Sequence, residues 1–311
     1  MDYSLGQTIG LSVVQVVVVL LLSPLLEGLI RKLIAFVHSR IGPPVYQPYL
    51  DILKLLGKEE IASSRSFLFR YSAVIALTAV LTASLLVPMF GKPPLGFAGE
   101  VIVFVYLISV VAVMIYMSGL TSGSPYGLVG AGREVMMVLT VEPVLVIALI
   151  TAAVKSGSMM FGDMVAWQLS HPPAISTVIA GVTLFLAIVA QLARLPFDIV
   201  EADQEIMEGP FVEQSGPKLA LFKWGFYAKQ LIFASLLVSV FIPWPHVGRF
   251  VLDVVITLAK VIVLLVLVGV VHAVNPRLRI DQSIRVFGLL IFAAAAGLAF
   301  ALVGSVDNGE D

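Results

Sequence analysis

Long apolar runs separated by short polar clusters set the pattern of this chain. A helix that crosses a hydrocarbon core needs about 20 apolar residues. Runs of that kind fall near 8–30, 67–89, 100–120, 134–154, 174–194, 226–243, 250–274 and 285–304. The short alternating segments of a membrane β-barrel are missing, so the runs read as α-helices, which satisfy their own backbone groups in lipid. The pattern predicts an all-α integral membrane protein of about eight transmembrane helices, one polytopic domain over 1–311. Pro24, Pro88, Pro143 and Pro243 sit in or at the ends of spans and predict kinks or stops. The first run continues from Ile9 past Pro24 toward Ile30, too long for the apolar core of a cleavable signal. No internal repeat is visible, which argues against a stand-alone secondary transporter built on inverted repeats.

Composition supports the membrane reading. The chain is 59% hydrophobic and 13% charged, with mean hydropathy +1.03, where an ordinary soluble domain carries about 25% charged residues. Its net charge of −1 gives no field that would attract nucleic acid. Fifteen of the nineteen Lys and Arg residues lie in the odd-numbered loops or at their edges. Lys92, Lys155 and Arg249 lie on the other side, and Lys260 falls inside a span. This asymmetry places the odd-numbered loops in the cytoplasm and both termini outside the cell membrane. There is no cysteine, so disulfides, thiolate catalysis and thiolate-held iron–sulfur clusters are excluded within the chain. The four histidines (His38, His171, His246, His272) are isolated and show no metal-ligand spacing. No metal or cofactor is therefore expected in this chain, and any electrons must be carried by partners.

Two long cytoplasmic loops are expected, near 31–66 and 195–225. In the first, Pro48 can open a helix whose polar face holds Asp51, Lys54 and Lys58, with Leu50, Ile52, Leu53, Leu55 and Leu56 among its apolar residues. That pattern fits a helix lying in the membrane interface, or else a simple tether.

Four polar clusters can carry chemistry. The densest begins at Arg194-Leu-Pro-Phe-Asp198 and continues through Glu201, Asp203, Glu205 and Glu208 to Glu213. Carboxylates this close raise one another's pKa and titrate as a set, so the run reads as a coupled proton or ion site, with a solvated acidic loop as the plainer alternative. The second is Gly130-Ala-Gly-Arg133-Glu134 followed by Glu142-Pro143 inside a span. A carboxylate at membrane depth costs roughly 2.5–3.5 kcal/mol on insertion scales and is functional by default, unless it is a structural partner of a neighbouring helix. Glu134 and Glu142 lie about 80° apart around a helix and about 12 Å apart along it. The third is Asp253 and Lys260, two turns apart in one span, facing either a hydrated path or partners elsewhere. The fourth is Arg277-Leu-Arg279-Ile-Asp281, whose arginines suit salt bridges to the acidic run of 201–213. Glu27, near a span end, reads as an interface residue.

Together and in this order, these clusters resemble the membrane subunit shared by respiratory complex I (its subunit 1, or H) and group 4 membrane-bound [NiFe]-hydrogenases. Arg31-Lys32, Arg40-Ile-Gly-Pro43, Gln47-Pro48, Asp51 and Lys54-Leu55 are similar to that family's first cytoplasmic loop. Gly130-x-x-Arg133 with Glu142, Arg194-x-Pro-Phe-Asp198 leading into alternating acids, and Arg277-x-Arg279-x-Asp281-Gln282 match its later motifs. Gln191 stands where the complex I pattern has a Glu, Asp203 replaces one of the alternating Glu residues, and the stretch after Pro43 is shorter than in the quinone-reducing form. Pro24-Leu-Leu-Glu27-Gly28 looks like the hydrogenase version.

The resemblance implies a subunit without a redox group. It would dock hydrophilic iron–sulfur and hydrogenase-like large and small subunits, the latter with a nickel–iron or derived site, and start an ion path toward antiporter-like membrane subunits. Arg31, Arg40, Asp51, Lys54, Arg133, Arg194, Arg277, Arg279 and Asp281 would then serve docking and structure. Glu134, Glu142, Asp198, Glu201, Asp203, Glu205, Glu208, Glu213, Asp253 and Lys260 would serve coupling. The quinone-site component of complex I is the second reading.

Overall fold

A computed structural model describes residues 5–61, 63–89, 91, 93–200 and 203–306. The expected helices form. They are α1 (Leu5–Val37), α2 (Gln47–Leu56), α3 (Phe67–Ser84), α4 (Glu100–Thr121), α5 (Pro125–Ser156), α6 (Phe161–Ser170), α7 (Ile175–Gln191), α8 (Asp203–Ile206), α9 (Gly216–Phe241), α10 (Phe250–Val274) and α11 (Ile280–Val306), with a 3₁₀ turn at Gly209–Phe211. Among the described residues there is no strand. Seven helices are long and apolar enough to cross a membrane, and α7 is a shorter apolar helix of 17 residues, at the lower limit of a span.

The architecture centres on α9, which is buried along most of its length. Helices α1, α3 and α10 pack around it, and α4, α5, α7 and α11 form the adjoining half of the bundle. Phe104 of α4 meets Phe161 and Phe233 edge-on at 5.7 and 5.8 Å, which locks the two halves together. The outward faces of α10 and α11 expose Val263, Leu289 and Phe292, as a surface solvated by lipid requires.

Helix α2 has Pro48 in its first turn, where the missing amide donor costs nothing. It buries Pro48 and Ile52, packs on α9 and α1, and exposes Leu50, Leu53 and Leu56.

Several boundaries differ from the sequence expectation, two of them by nine residues or more. Helix α5 starts at Pro125, nine residues ahead of the expected span, with Pro at its first position. Gly130 lies inside the helix because other backbone crosses there: a Cβ on it would meet Pro210 Cδ at 2.6 Å and Gly209 Cα at 2.8 Å. Helix α9 likewise starts at Gly216, which shortens the second polar segment from the expected 195–225.

Candidate functional site

Helix α1 is 33 residues long, about 50 Å at 1.5 Å per residue, and exceeds a bilayer's hydrocarbon thickness. Its last turns bring Glu27 and Arg31 to the polar end of the bundle. Glu27 is buried, with its side chain 4% exposed. One oxygen accepts from Arg31 Nε at 3.1 Å, and the other is held by the Arg194 guanidinium. Arg31 also binds Asp51 of α2 at 3.1 Å and the Tyr227 hydroxyl at 2.7 Å. Arg194 also donates to Gln230 of α9 at 2.9 Å. By its place near a span end Glu27 reads as an interface residue, whereas in the fold it joins four elements.

Arg194 sits on a compact turn fixed by backbone contacts. Arg194 N donates to Val189 O, and Phe197 N donates to Arg194 O at 2.8 Å. The Leu195 amide donates to His272 Nδ1 of α10 at 3.1 Å. Leu278 N donates to Pro196 O, so the segment leading into α11 pairs with this turn. Asp198 accepts from Arg277 at 2.8 Å. The expected pairing of Arg277 with the acids of 201–213 is thus replaced by one with Asp198, which the cis Leu195-Pro196 turn carries. Arg279 makes no salt bridge among the described residues; its amide donates to Gln282 Oε1 at 3.0 Å. Asp281 lies in the first turn of α11, where a carboxylate complements the helix dipole.

The Gly-x-x-Arg spacing acts through the same approach of backbone. Gly130 admits the 209–211 turn, and Arg133, one turn on, reaches over it to the Ile199 carbonyl at 3.2 Å and Glu205 at 2.8 Å. That hydrogen bond holds the exposed Glu205 carboxyl below its ordinary range. Glu208 has a positive φ of 66° where the chain turns into the 3₁₀ segment. Glu201 lies outside the described residues, and Asp203 opens α8.

These elements enclose a cavity of about 260 Å³ between α1, α9 and the 192–211 segment. Its wall carries three carboxylates (Glu27, Asp198, Glu208) and three fixed cations (Arg31, Arg194, Lys223), with Tyr227, Gln230 and His272 between them. A wall with equal numbers of acids and cations suits water better than a ligand of large net charge. A second, smaller cavity of about 30 Å³ shares Ala193, Phe211 and Phe226 with the first and runs on to Glu134, Gln191 and Lys229. There Lys229 donates to Gln191 at 2.9 Å. Lys229 is buried at 3% exposure inside α9, although its place beside the second polar segment groups it with the loop cations in sequence. Its position in the apolar run 219–241 is the signal that marks it as internal.

Glu142 sits deeper in α5 and accepts from Ser109 of α4 at 2.7 Å. Arg40, Lys54 and Glu213 make no salt bridge among the described residues. Asp253 and Lys260 stand apart from the cavity. Asp253 accepts from Val247 N at 2.8 Å and pairs with His246 at 3.2 Å. Lys260 donates to the carbonyls of Ile242 and Pro243 at 3.1 and 2.7 Å. Both thus tie down the segment after α9, and Asp253 lies about 28 Å along α10 from His272. No group of three or more metal-ligating side chains is present among the described residues.

Residues 9–303 match the NADH dehydrogenase family. The chain belongs to that family. It is 34% identical over 309 residues to hydrogenase-4 component C of Escherichia coli, covering 96% of this chain and 98% of that one. It is 29% identical over 284 residues to the H component of the NADH-quinone oxidoreductase of Anaplasma marginale, covering 82% and 81%. A chain of the membrane-bound sulfane sulfur reductase, an archaeal respiratory membrane complex, superposes with a TM-score of 0.86 at 26% identity, over 95% of this chain and 99% of that one. The family and the seven long apolar helices make this a multi-pass membrane subunit of the respiratory-complex type.

Proposed function

We propose that the chain docks the electron-transfer arm of a hydrogenase-type or ferredoxin-fed respiratory complex and begins its ion path. The observation that carries this is the pair of adjoining cavities that run from the acidic 198–208 segment to Glu134 and Lys229 inside the helix bundle. In this reading the exposed apolar residues of α2, with Arg40 and Lys54, face a hydrophilic arm whose subunits hold the iron–sulfur clusters and a nickel–iron or derived site. A charge change at that arm shifts protons among Glu27, Asp198, Glu205 and Glu208, and the shift passes inward to Glu134 and Glu142, toward antiporter-like membrane subunits. The loops that carry the arm lie in the cytoplasm and the termini outside the plasma membrane, following the basic residues. Higher identity to the hydrogenase component than to the NADH-quinone oxidoreductase chain supports the hydrogenase type.

Ion uptake by vesicles, measured with acceptor turnover in the same sample, tests this. Glu142→Gln should leave turnover largely intact and lower the ions moved per electron. An unchanged ratio would make Glu142 a structural partner of Ser109. One observation favours the complex I reading: a cavity does open between α1 and α9, where a quinone would sit. Turnover blocked by quinone-site inhibitors would move the assignment there.

A further inference from the structure

A further cavity lies at the other end of the bundle. It measures about 420 Å³, with α9 as its floor and α6 and α10 as its walls. Its lining is mostly aliphatic and aromatic: Met89, Val165, Leu169, Val238, Phe250 and Val254. Ala166, His246 and Phe250 at its edge are exposed, so the cleft is open at the surface of the bundle. Two features mark this as headgroup level. Trp244 follows the end of α9, and Trp167 of α6 stacks on His171 at 4.4 Å; such rings belt the membrane–water interface.

Charge is the deciding feature. The chain keeps basic residues off this side, and just four Lys or Arg lie outside the odd-numbered loops. Two of them are at this cleft. Lys260 lines it, and Arg249 directly precedes the lining residue Phe250, exposed and without a salt bridge among the described residues. Lys92 follows the lining residue Gly91 in sequence, though it lies outside the described residues. Among the described residues His246 adds a third basic group, and Asp253, which pairs with it, is the acid among the lining residues. Lys260 donates to backbone carbonyls and His246 pairs with Asp253, so direct contact to a ligand falls to Arg249, while Lys260 adds its charge from the wall.

We propose that this cleft is a binding site for one anionic phospholipid. An acyl chain lies between α6 and α10, and the headgroup phosphate rests at Arg249. Cationic rim and aliphatic depth are the two halves of a phospholipid in their natural order. The site is independent of the coupling cavity, since none of its lining residues is shared with that wall.

The test is native mass spectrometry of the intact complex, exchanged into nanodiscs of phosphatidylglycerol or of phosphatidylethanolamine with the same acyl chains. The parent complex should retain phosphatidylglycerol preferentially. Arg249→Gln should cut that retention about fivefold, the affinity that one basic residue adds beside an anionic headgroup. Ala166→Trp, which fills the cleft from α6, should abolish it. Val263→Trp, on the exposed face of α10, should change nothing. Equal retention of the two lipids by the parent complex overturns the proposal, even if a variant fails to assemble. So does undiminished retention in Arg249→Gln and Ala166→Trp. Crosslinking of Ala166→Cys to a neighbouring subunit would overturn it too, by showing a protein helix in the cleft.

Discussion

Glu27 is the most connected carboxylate at the charged end of the bundle, and its replacement by Gln tests whether that connection is energetic. The change preserves shape and removes one charge. At 3.1 Å, and with an effective dielectric of 20, a single Arg–Glu pair is worth about 5 kcal/mol before desolvation. Arg31 is a third exposed and keeps Asp51, so solvent screens about half of its share. Arg194 is 19% exposed and keeps the neutral Gln230, so it loses more. Breaking a buried pair from one side costs about 3–5 kcal/mol, and the exposure of Arg31 places this case near about 3 kcal/mol. At about 2 °C per kcal/mol for a chain of this size, the thermal midpoint of the purified complex should fall by about 6 °C. Arg194→Gln alone should lower it as well, by leaving Glu27 against Arg31 only. The double variant should then be less destabilised than the two single losses added together, by about 2 kcal/mol, since removing both charges leaves neither stranded. Strict additivity in this cycle would refute the reasoning and reduce the Glu27–Arg194 contact to geometry without coupling.

Three other outcomes are expected. Gly130→Ala forces a methyl into the Pro210 ring and Gly209 backbone, so it should destabilise by about 1–3 kcal/mol and loosen the Arg133–Glu205 tie, read as faster proteolysis of the 199–209 segment. Undiminished protection there would show that the 3₁₀ turn does not depend on the close approach. Cysteines at Ser63 and Ser215 should label from the cytoplasmic side alone, and labelling of either from outside would invert the proposed orientation. Glu142→Gln, described above, should lower ions per electron while sparing electron flow.

The helices were legible because lipid imposes a length on every span, and an apolar run of that length leaves little choice of structure. Their ends were less so. Gly127, Gly130 and Gly132 with Arg133 look like a loop before α5, because glycine is costly inside a helix unless something needs the space. At Gly130 Pro210 needs it, eighty residues away in sequence, and at Gly127 Ser122 does. The start of α9 is hidden in the same way. Gly216 has φ +54°, and its Cα lies against the Glu59 carbonyl, so a residue that reads as loop is in fact the first of a buried helix. The acids and arginines of the charged cavity were legible as types and as clusters. Their pairing was not, since Arg194 finds Glu27 across 167 positions and Arg277 finds Asp198 across 79. Such contacts follow from how helices pack, and neither charge order nor spacing along the chain encodes them.

The same limit governs Gln191, a single neutral residue where the complex I pattern carries an acid. Read alone, it suggests a site that has lost a proton-carrying group. The structure places it as the acceptor of a buried ammonium, Lys229, on a wall shared with Glu134. A carboxylate at 191 would set two acids beside one cation, a group that titrates in two coupled steps. An amide leaves Glu134 as the ionisable acid on that wall, with the ammonium oriented toward the amide oxygen. Glu134 lies on α5, the helix that carries Glu142 eight residues further on. An amide at 191 thus leaves the carboxylate of this wall on α5 rather than at the end of α7.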